Sequence, residues 1–279
     1  MREVQSSEIV AAIKKLCMEA NYYLGEDVLS AIKRFEILEE SPLGKEILNQ
    51  IIKNAGIAAE KQMPLCQDTG LSVIFAELGQ DVHVIGDFTE AVQEGVRQGY
   101  KDGYLRKSIV VDPLNRRNTG DNTPAIISSK LVPGDKINLT ILPKGGGSEN
   151  MSRIKMLKPA DGEQGVKEFV LETIRLAGGN PCPPLIVGVG IGGSFDLVAH
   201  LAKHALLRPV GSKHTDPFYT AMEAELLEKI NNTGVGPQGL GGRTTALAVH
   251  IEVAPCHIAS LPTAVNTQCH SARHKTVII

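Results

Sequence analysis

Leu185-Ile186-Val187-Gly188-Val189-Gly190 carries no polar side chain, reads as a buried strand, and leads into a helical pattern from about Ser194 to Leu207. A strand this apolar needs cover, and the chain repeats the arrangement along its length. Leu71 to Leu78 and Lys136 to Leu142 are further strand-like runs, with shorter ones over Ser108–Asp112, Ala125–Ser129, Thr244–Val253 and Pro262–Gln268. Helical spacing predicts helices from Phe88 to Gly99, capped by Asp87, from about Asp161 to Leu176, and from Pro217 to Ile230. Residues 5–62 read as helical, with Ile9, Ile13 and Leu16, then Val28, Ile32, Phe35 and Leu38, at three- and four-residue spacing. Ser41-Pro42 has the form of an N-cap followed by a first-turn proline. Strands flanked by helices on both sides in sequence specify a layered α/β fold of mixed β-sheets with a helical N-terminal region. No repeat and no linker cuts the chain, so a single domain over residues 1–279 is expected, with 1–62 as a helical cap. Val82–Ile85 is expected as the hairpin partner of Leu71–Leu78, and the residues after Cys269 as a basic tail.

A net charge of −2 on 279 residues argues against a general nucleic-acid or membrane binder. There is no apolar run of about 18 residues, and the N-terminus has the charge alternation of a helix rather than of a signal peptide, so a cytoplasmic protein is expected. Five dispersed cysteines in a chain of this size are free thiols or metal ligands rather than disulfide staples.

Three of them, Cys66, Cys182 and Cys269, stand at the edges of strand-like runs, where sites collect. Converging thiolates suit a zinc ion with an open position or a cuboidal iron–sulfur cluster with one iron not held by protein; the wide spacing lacks the close pairs of zinc ribbons. Cys17 lies on an amphipathic helix and reads as packing, while Cys256 is a possible substitute ligand. Around Cys66, the stretch Pro64-Leu65-Cys66-Gln67-Asp68-Thr69-Gly70 gathers a soft ligand, an amide, a carboxylate, a hydroxyl and a turn glycine. Lys144-Gly145-Gly146-Gly147-Ser148-Glu149-Asn150 follows a strand and is either a flexible hairpin or a loop whose backbone N–H groups line a carboxylate or phosphate site. Arg106 offers a guanidinium for bidentate capture of a carboxylate. His250, His257, His270 and His274 fall close together, with Arg273 four residues after Cys269. Gly188-Val-Gly190-Ile-Gly192-Gly193 matches the dinucleotide fingerprint in form, which makes an NAD-dependent enzyme the rival class. Against it, the expected acidic residue at the tip of the next strand is missing, since Asp216 follows a helix.

Taken together, PLCQDTG, the KGGGSEN loop, NPCPP before a glycine-rich run, and PCHIASLPTAVNTQCHSARHK resemble the class I fumarate hydratase and tartrate dehydratase family, in its N-terminal cluster-binding region. In two-component members that region is a separate α subunit. The resemblance runs from about residue 5 to the end. It implies a [4Fe–4S] cluster held by Cys66, Cys182 and Cys269, with Cys256 unassigned. It also implies substrate contacts from Gln67, Arg106 and the loop Gly145, Gly146 and Gly147, and catalytic roles for Asp68 and His257. Single-chain members continue into a second domain that supplies a catalytic base, so a β subunit is implied here, in an α2β2-type assembly acting on a small dicarboxylate. Fumarate hydratase, interconverting (S)-malate with fumarate and water, is the expectation from the family's broader metabolic role in the tricarboxylic acid cycle. L-tartrate dehydratase is the alternative, and a non-catalytic iron–sulfur scaffold or sensor is the alternative of a different class.

Overall fold

A computed structural model describes residues 1–279. The chain divides into two compact units: Met1–Leu24, Asn54–Gly146 and Arg273–Ile279 form the first, and Gly25–Lys53 with Gly147–Ala272 the second. The N-terminal helices make no layer of their own because their apolar stripes serve different cores. Helix α1 (Ser6–Tyr22) belongs to the first unit, α2 (Glu26–Leu38) to the second, and α3 (Pro42–Lys61) is divided after Lys53.

In the first unit, strand β2 (Leu71–Gly79) runs parallel to β4 (Ile126–Val132) and antiparallel to β5 (Ile137–Lys144). The outer side of β5 takes the antiparallel β10 (Lys275–Ile278). The basic tail is thus an ordered edge strand whose Val277 packs against the core. Both edges of β2 are already taken, so β3 (Val82–Ile85) is not its hairpin partner; it pairs in parallel with β1 (Arg2–Gln5). Ser108–Asp112 contributes only an isolated bridge, Val110 to Asn118. Apolar residues of α1, among them Ile9, Ile13 and Cys17, meet Val92, Val96 and Tyr100 of α4 (Phe88–Asp102) over Ile74, Leu139 and Ile141 of the sheet. Asp87 caps α4 by accepting the N–H of Glu90.

The second unit holds a four-stranded sheet in the order β6 (Arg153–Leu157), β9 (Leu261–Gln268), β7 (Leu185–Gly192), β8 (Ala246–Ala254). It is preceded by the single turn α5 (Gly146–Glu149). Strand β7 is parallel to β8 and antiparallel to β9. Leu185, Val187 and Val189 point to one face, where α6 (Gly162–Ala177) and α8 (Pro217–Asn231) bury them. On the other face, Val198 and Ala202 of α7 (Phe195–His204) pack on Ala264. Burial on both faces explains why β7 is apolar throughout. No helix is long and apolar enough to cross a membrane.

Glu39, almost fully buried at the end of α2, ties that helix to the segment entering β8. Its carboxylate accepts N–H bonds from Ser41, Arg243 and Thr244 at 2.7 to 3.1 Å. Burial pushes its pKa up, but the donors from Thr244, Arg243 and Ser41 outweigh it and bring the carboxyl down to about 2. A folded pKa below the ordinary carboxylate value means a stabilisation present above about pH 4.5 and lost as pH falls toward 2, on the order of 3 kcal/mol. Urea unfolding between pH 6 and 2.5 is expected to show wild type losing its advantage over Glu39→Gln as pH falls. Parallel pH profiles for the two proteins would contradict this.

Candidate active site

Within the first unit, the turn ahead of β2 and the end of β5 meet, since Leu71 pairs with Lys144. Gly70, at φ +74°, closes that turn; a Cβ there would lie 2.7 Å from the Lys144 backbone. Asp68 is held on both carboxylate oxygens: Oδ1 accepts the Gly70 N–H at 3.0 Å and Oδ2 the Gly146 N–H at 2.8 Å. The Cys66 thiol donates to Gln67 Oε1 at 3.3 Å, and the Thr69 hydroxyl donates to the Arg106 carbonyl at 3.1 Å. Cys66, Gln67, Asp68, Arg106, Gly145 and Gly146 therefore belong to one constellation, with the Arg106 side chain exposed. Tyr100, Asn122 and Arg273 support it from below. The Tyr100 hydroxyl lies 2.9 Å from the carbonyls of Thr69 and Gly70, the Asn122 amide donates to Gly70, and Arg273 Nη2 donates to the Asp68 carbonyl. Burial pushes the Tyr100 phenol up, keeping it a donor.

In the second unit, antiparallel pairing of Ile186 with Gln268 brings the residues before β7 beside those after β9. The His270 N–H donates to the Cys182 carbonyl at 3.2 Å, so Cys182 and Cys269 share one end of the sheet. Cys182 has φ +55°, a left-handed backbone that only the surrounding turn sustains; its N–H donates to Gly179 at 3.0 Å. Such a conformation is uncommon in a non-glycine residue and is held by the surrounding structure. Gly147 joins this end too, because a Cβ there would stand 3.1 Å from the Asn180 carbonyl. The rest of the KGGGSEN loop is anchoring: the Ser148 carbonyl accepts from Thr267, and Glu149 pairs with Lys203 and accepts from Asn266. The loop is an ordered turn rather than a flexible hairpin.

His257 lies elsewhere. It sits on the exposed loop between β8 and β9, and β9 runs from Leu261 to Gln268, about 23 Å at the rise of a strand, before Cys269 is reached. Cys256 shares that far loop, its thiol donating to the Ser260 carbonyl at 3.3 Å, which removes it as a substitute ligand beside Cys182 and Cys269. His250 is a core residue, brought down to about 4 by burial and then by the Arg208 charge, hence neutral at physiological pH. The dinucleotide reading fails on packing. Gly188 and Gly190 lie within β7, and a Cβ on them would meet the Ala202 carbonyl of α7 at 2.0 Å and the Val198 carbonyl at 2.3 Å. Those glycines admit a helix, not a pyrophosphate.

The thiols differ in the way that ligation requires. Cys17 is fully buried, its pKa pushed up to about 12 by burial, and is inert. Cys66 and Cys269 are partly exposed and Cys182 is exposed, each on a turn at a strand end. Soft, accessible donors of this kind fit an iron–sulfur cluster. No three His, Cys, Asp or Glu side chains are gathered into a group that could hold a metal ion. Sequence reasoning passed over Tyr100 and Asn122 because each is an ordinary residue until its hydroxyl or amide is seen under the Cys66–Gly70 turn.

Comparison with known proteins agrees with these motifs. The family profile described as Fumarate hydratase (Fumerase) matches residues 10–278. A Methanocaldococcus jannaschii protein that carries the provisional name of an L(+)-tartrate dehydratase subunit alpha is 46% identical over 273 residues, covering 95% of each chain. Proteins of Escherichia coli O157:H7 and K12 named L(+)-tartrate dehydratase subunit alpha are each 34% identical over 257 residues, covering 91% of this chain and 85% of theirs. The chain therefore belongs to the class I fumarate hydratase and tartrate dehydratase family of hydro-lyases, among its α subunits.

Proposed function

We propose that this chain is the α subunit of an L(+)-tartrate dehydratase, which with a β subunit removes water from tartrate to give oxaloacetate. The observation that carries the reading is the naming of those relatives, above all the archaeal one that matches over 95% of both chains. The expectation of fumarate and malate, drawn from the family's broader role, gives way to it.

In this reading Cys66, Cys182 and Cys269 hold a [4Fe–4S] cluster. When bound, the cluster supplies a Lewis-acidic iron that eases departure of the substrate hydroxyl. The chain's own residues bind and orient. Arg106, its backbone fixed to Thr69, presents a bidentate donor to a substrate carboxylate. The Gly146 N–H is committed to Asp68, so Gly146 holds that carboxylate in place rather than binding substrate. Asp68, clamped on both oxygens, is set to steady a hydroxyl proton, and Gln67 beside Cys66 adds an amide contact. Oxaloacetate formation from L(+)-tartrate by the anaerobically copurified αβ pair tests the reading, and an assembled, cluster-loaded pair that forms none would overturn it.

His257 has its place in this reading through a second copy of the chain. It stands a strand's length from Cys182 and Cys269 in its own unit, so its proton-handling role is served in trans within an assembly of two α and two β subunits. Pure Cys269→Ser and pure His257→Ala α chains are each expected to be inactive with β. Coassembled in equal amounts, they are expected to regain about a quarter of wild-type activity, since half the dimers carry one intact site. A mixture as inactive as its components would contradict the placement.

A further inference from the structure

Arg273 is 1% exposed and among the largest fully buried side chains of the chain. A guanidinium stays protonated in a protein, so this is a permanent buried cation. Only Nη2 is used, on the Asp68 carbonyl; Nε and Nη1 have no hydrogen-bond partner. The carboxylate of Asp68, the residue whose carbonyl Arg273 holds, spends its oxygens on Gly70 and Gly146 instead. Tyr100 beneath the same turn, a neutral phenol, points its hydroxyl at carbonyls and does not neutralise the charge. A buried charge with unpaired donors is retained at a large desolvation penalty unless an anion meets it. Cys66, one of the three cysteines assigned to the cluster, stands two residues before the carbonyl that Arg273 holds.

We infer that Arg273 is a positioning residue for the thiolate-ligated cluster: its Nη2 fixes the Cys66–Asp68 turn, and its charge and remaining N–H groups stabilise the negative charge that thiolates and bridging sulfides bring. The inference rests on the cluster assignment of the proposed function and goes beyond it. A cation at this place raises the reduction potential of a cluster and slows its loss, through hydrogen bonds and charge near sulfur.

The test compares wild type, Arg273→Met and Arg273→Lys in the full αβ protein, each before and after anaerobic reconstitution. Three readouts are taken: thermal midpoint, midpoint potential of the cluster, and the half-time of iron transfer to a chelator. The expected result for Arg273→Met is a smaller rise in thermal midpoint on cluster loading, a more negative potential, and iron release faster by about tenfold or more, with Arg273→Lys recovering part of the potential by keeping the charge. The cycle over variant and loading state isolates the coupling between Arg273 and the cluster from any general loss of stability. Equal loading increments, equal potentials and equal release times in wild type and Arg273→Met would overturn the inference while leaving the cluster standing. A wild-type protein that takes up no cluster would instead overturn the proposed function, and this inference with it.

Discussion

Replacing Cys66, Cys182 or Cys269 by Ser is expected to abolish the iron content and broad visible absorbance of the anaerobically assembled protein, and its turnover with them. Cys17→Ser and Cys256→Ser are expected to keep all three properties. The contrast follows from where the thiols stand. Cys17 is sealed in the core between α1 and α4, its thiol too hard to ionise to serve as a ligand, and Cys256 faces the far end of the second unit's sheet. The other three lie on turns at strand ends, where Cys182 holds a left-handed backbone. Iron and sulfide analysis with absorption spectra across all five variants decides the matter. Equal cluster content in every variant would refute the ligand assignment.

A methyl group at position 188 is the second large effect, and it acts on the fold alone. The Cβ of Gly188→Ala would sit 2.0 Å from the Ala202 carbonyl, against rigid helix backbone rather than a flexible side chain. Helix α7 must lift from β7 or the strand must bend, and overpacking of this kind destabilises by about 1–3 kcal/mol. Urea unfolding monitored by circular dichroism is expected to show that drop, with Gly190→Ala behaving alike because its Cβ would meet Val198 at 2.3 Å. Unchanged midpoints would mean that the glycines serve something other than close helix–sheet contact.

Much of this was legible in the residues. The apolar Leu185–Gly190 run, the patterned Lys136–Leu142 run and the helical spacing of Ile9, Ile13 and Leu16 each carry a local signal strong enough to name the element. What escaped depended on partners distant in sequence. Val82–Ile85 reads as the hairpin partner of the strand before it, yet pairing is decided by β4 and β5, which occupy both edges of β2. The C-terminal Lys275–Ile278 reads as a tail because its composition is mixed, and only the free edge of β5 makes it a strand. The glycine series at 188–193 has the spacing of a nucleotide loop, and only the helix pressed against it shows that the glycines answer to packing. In the site, a combination that packing alone does not call for, a cysteine beside an amide and a carboxylate, announces itself. Tyr100 and Asn122 work through backbone carbonyls, a role that no residue spacing encodes. His257 was reachable only through family resemblance, and no local pattern reveals that its strand carries it away from Cys182 and Cys269.

Service of this α subunit in a tartrate dehydratase is tested most directly by kcat/KM of the anaerobically assembled αβ enzyme for L(+)-tartrate and for (S)-malate under identical conditions. A site built to hydrogen-bond the additional hydroxyl rejects the substrate lacking it, so tartrate is expected to be preferred on the order of a hundredfold or more. Malate turned over to fumarate as efficiently as tartrate to oxaloacetate, or more so, would contradict the account.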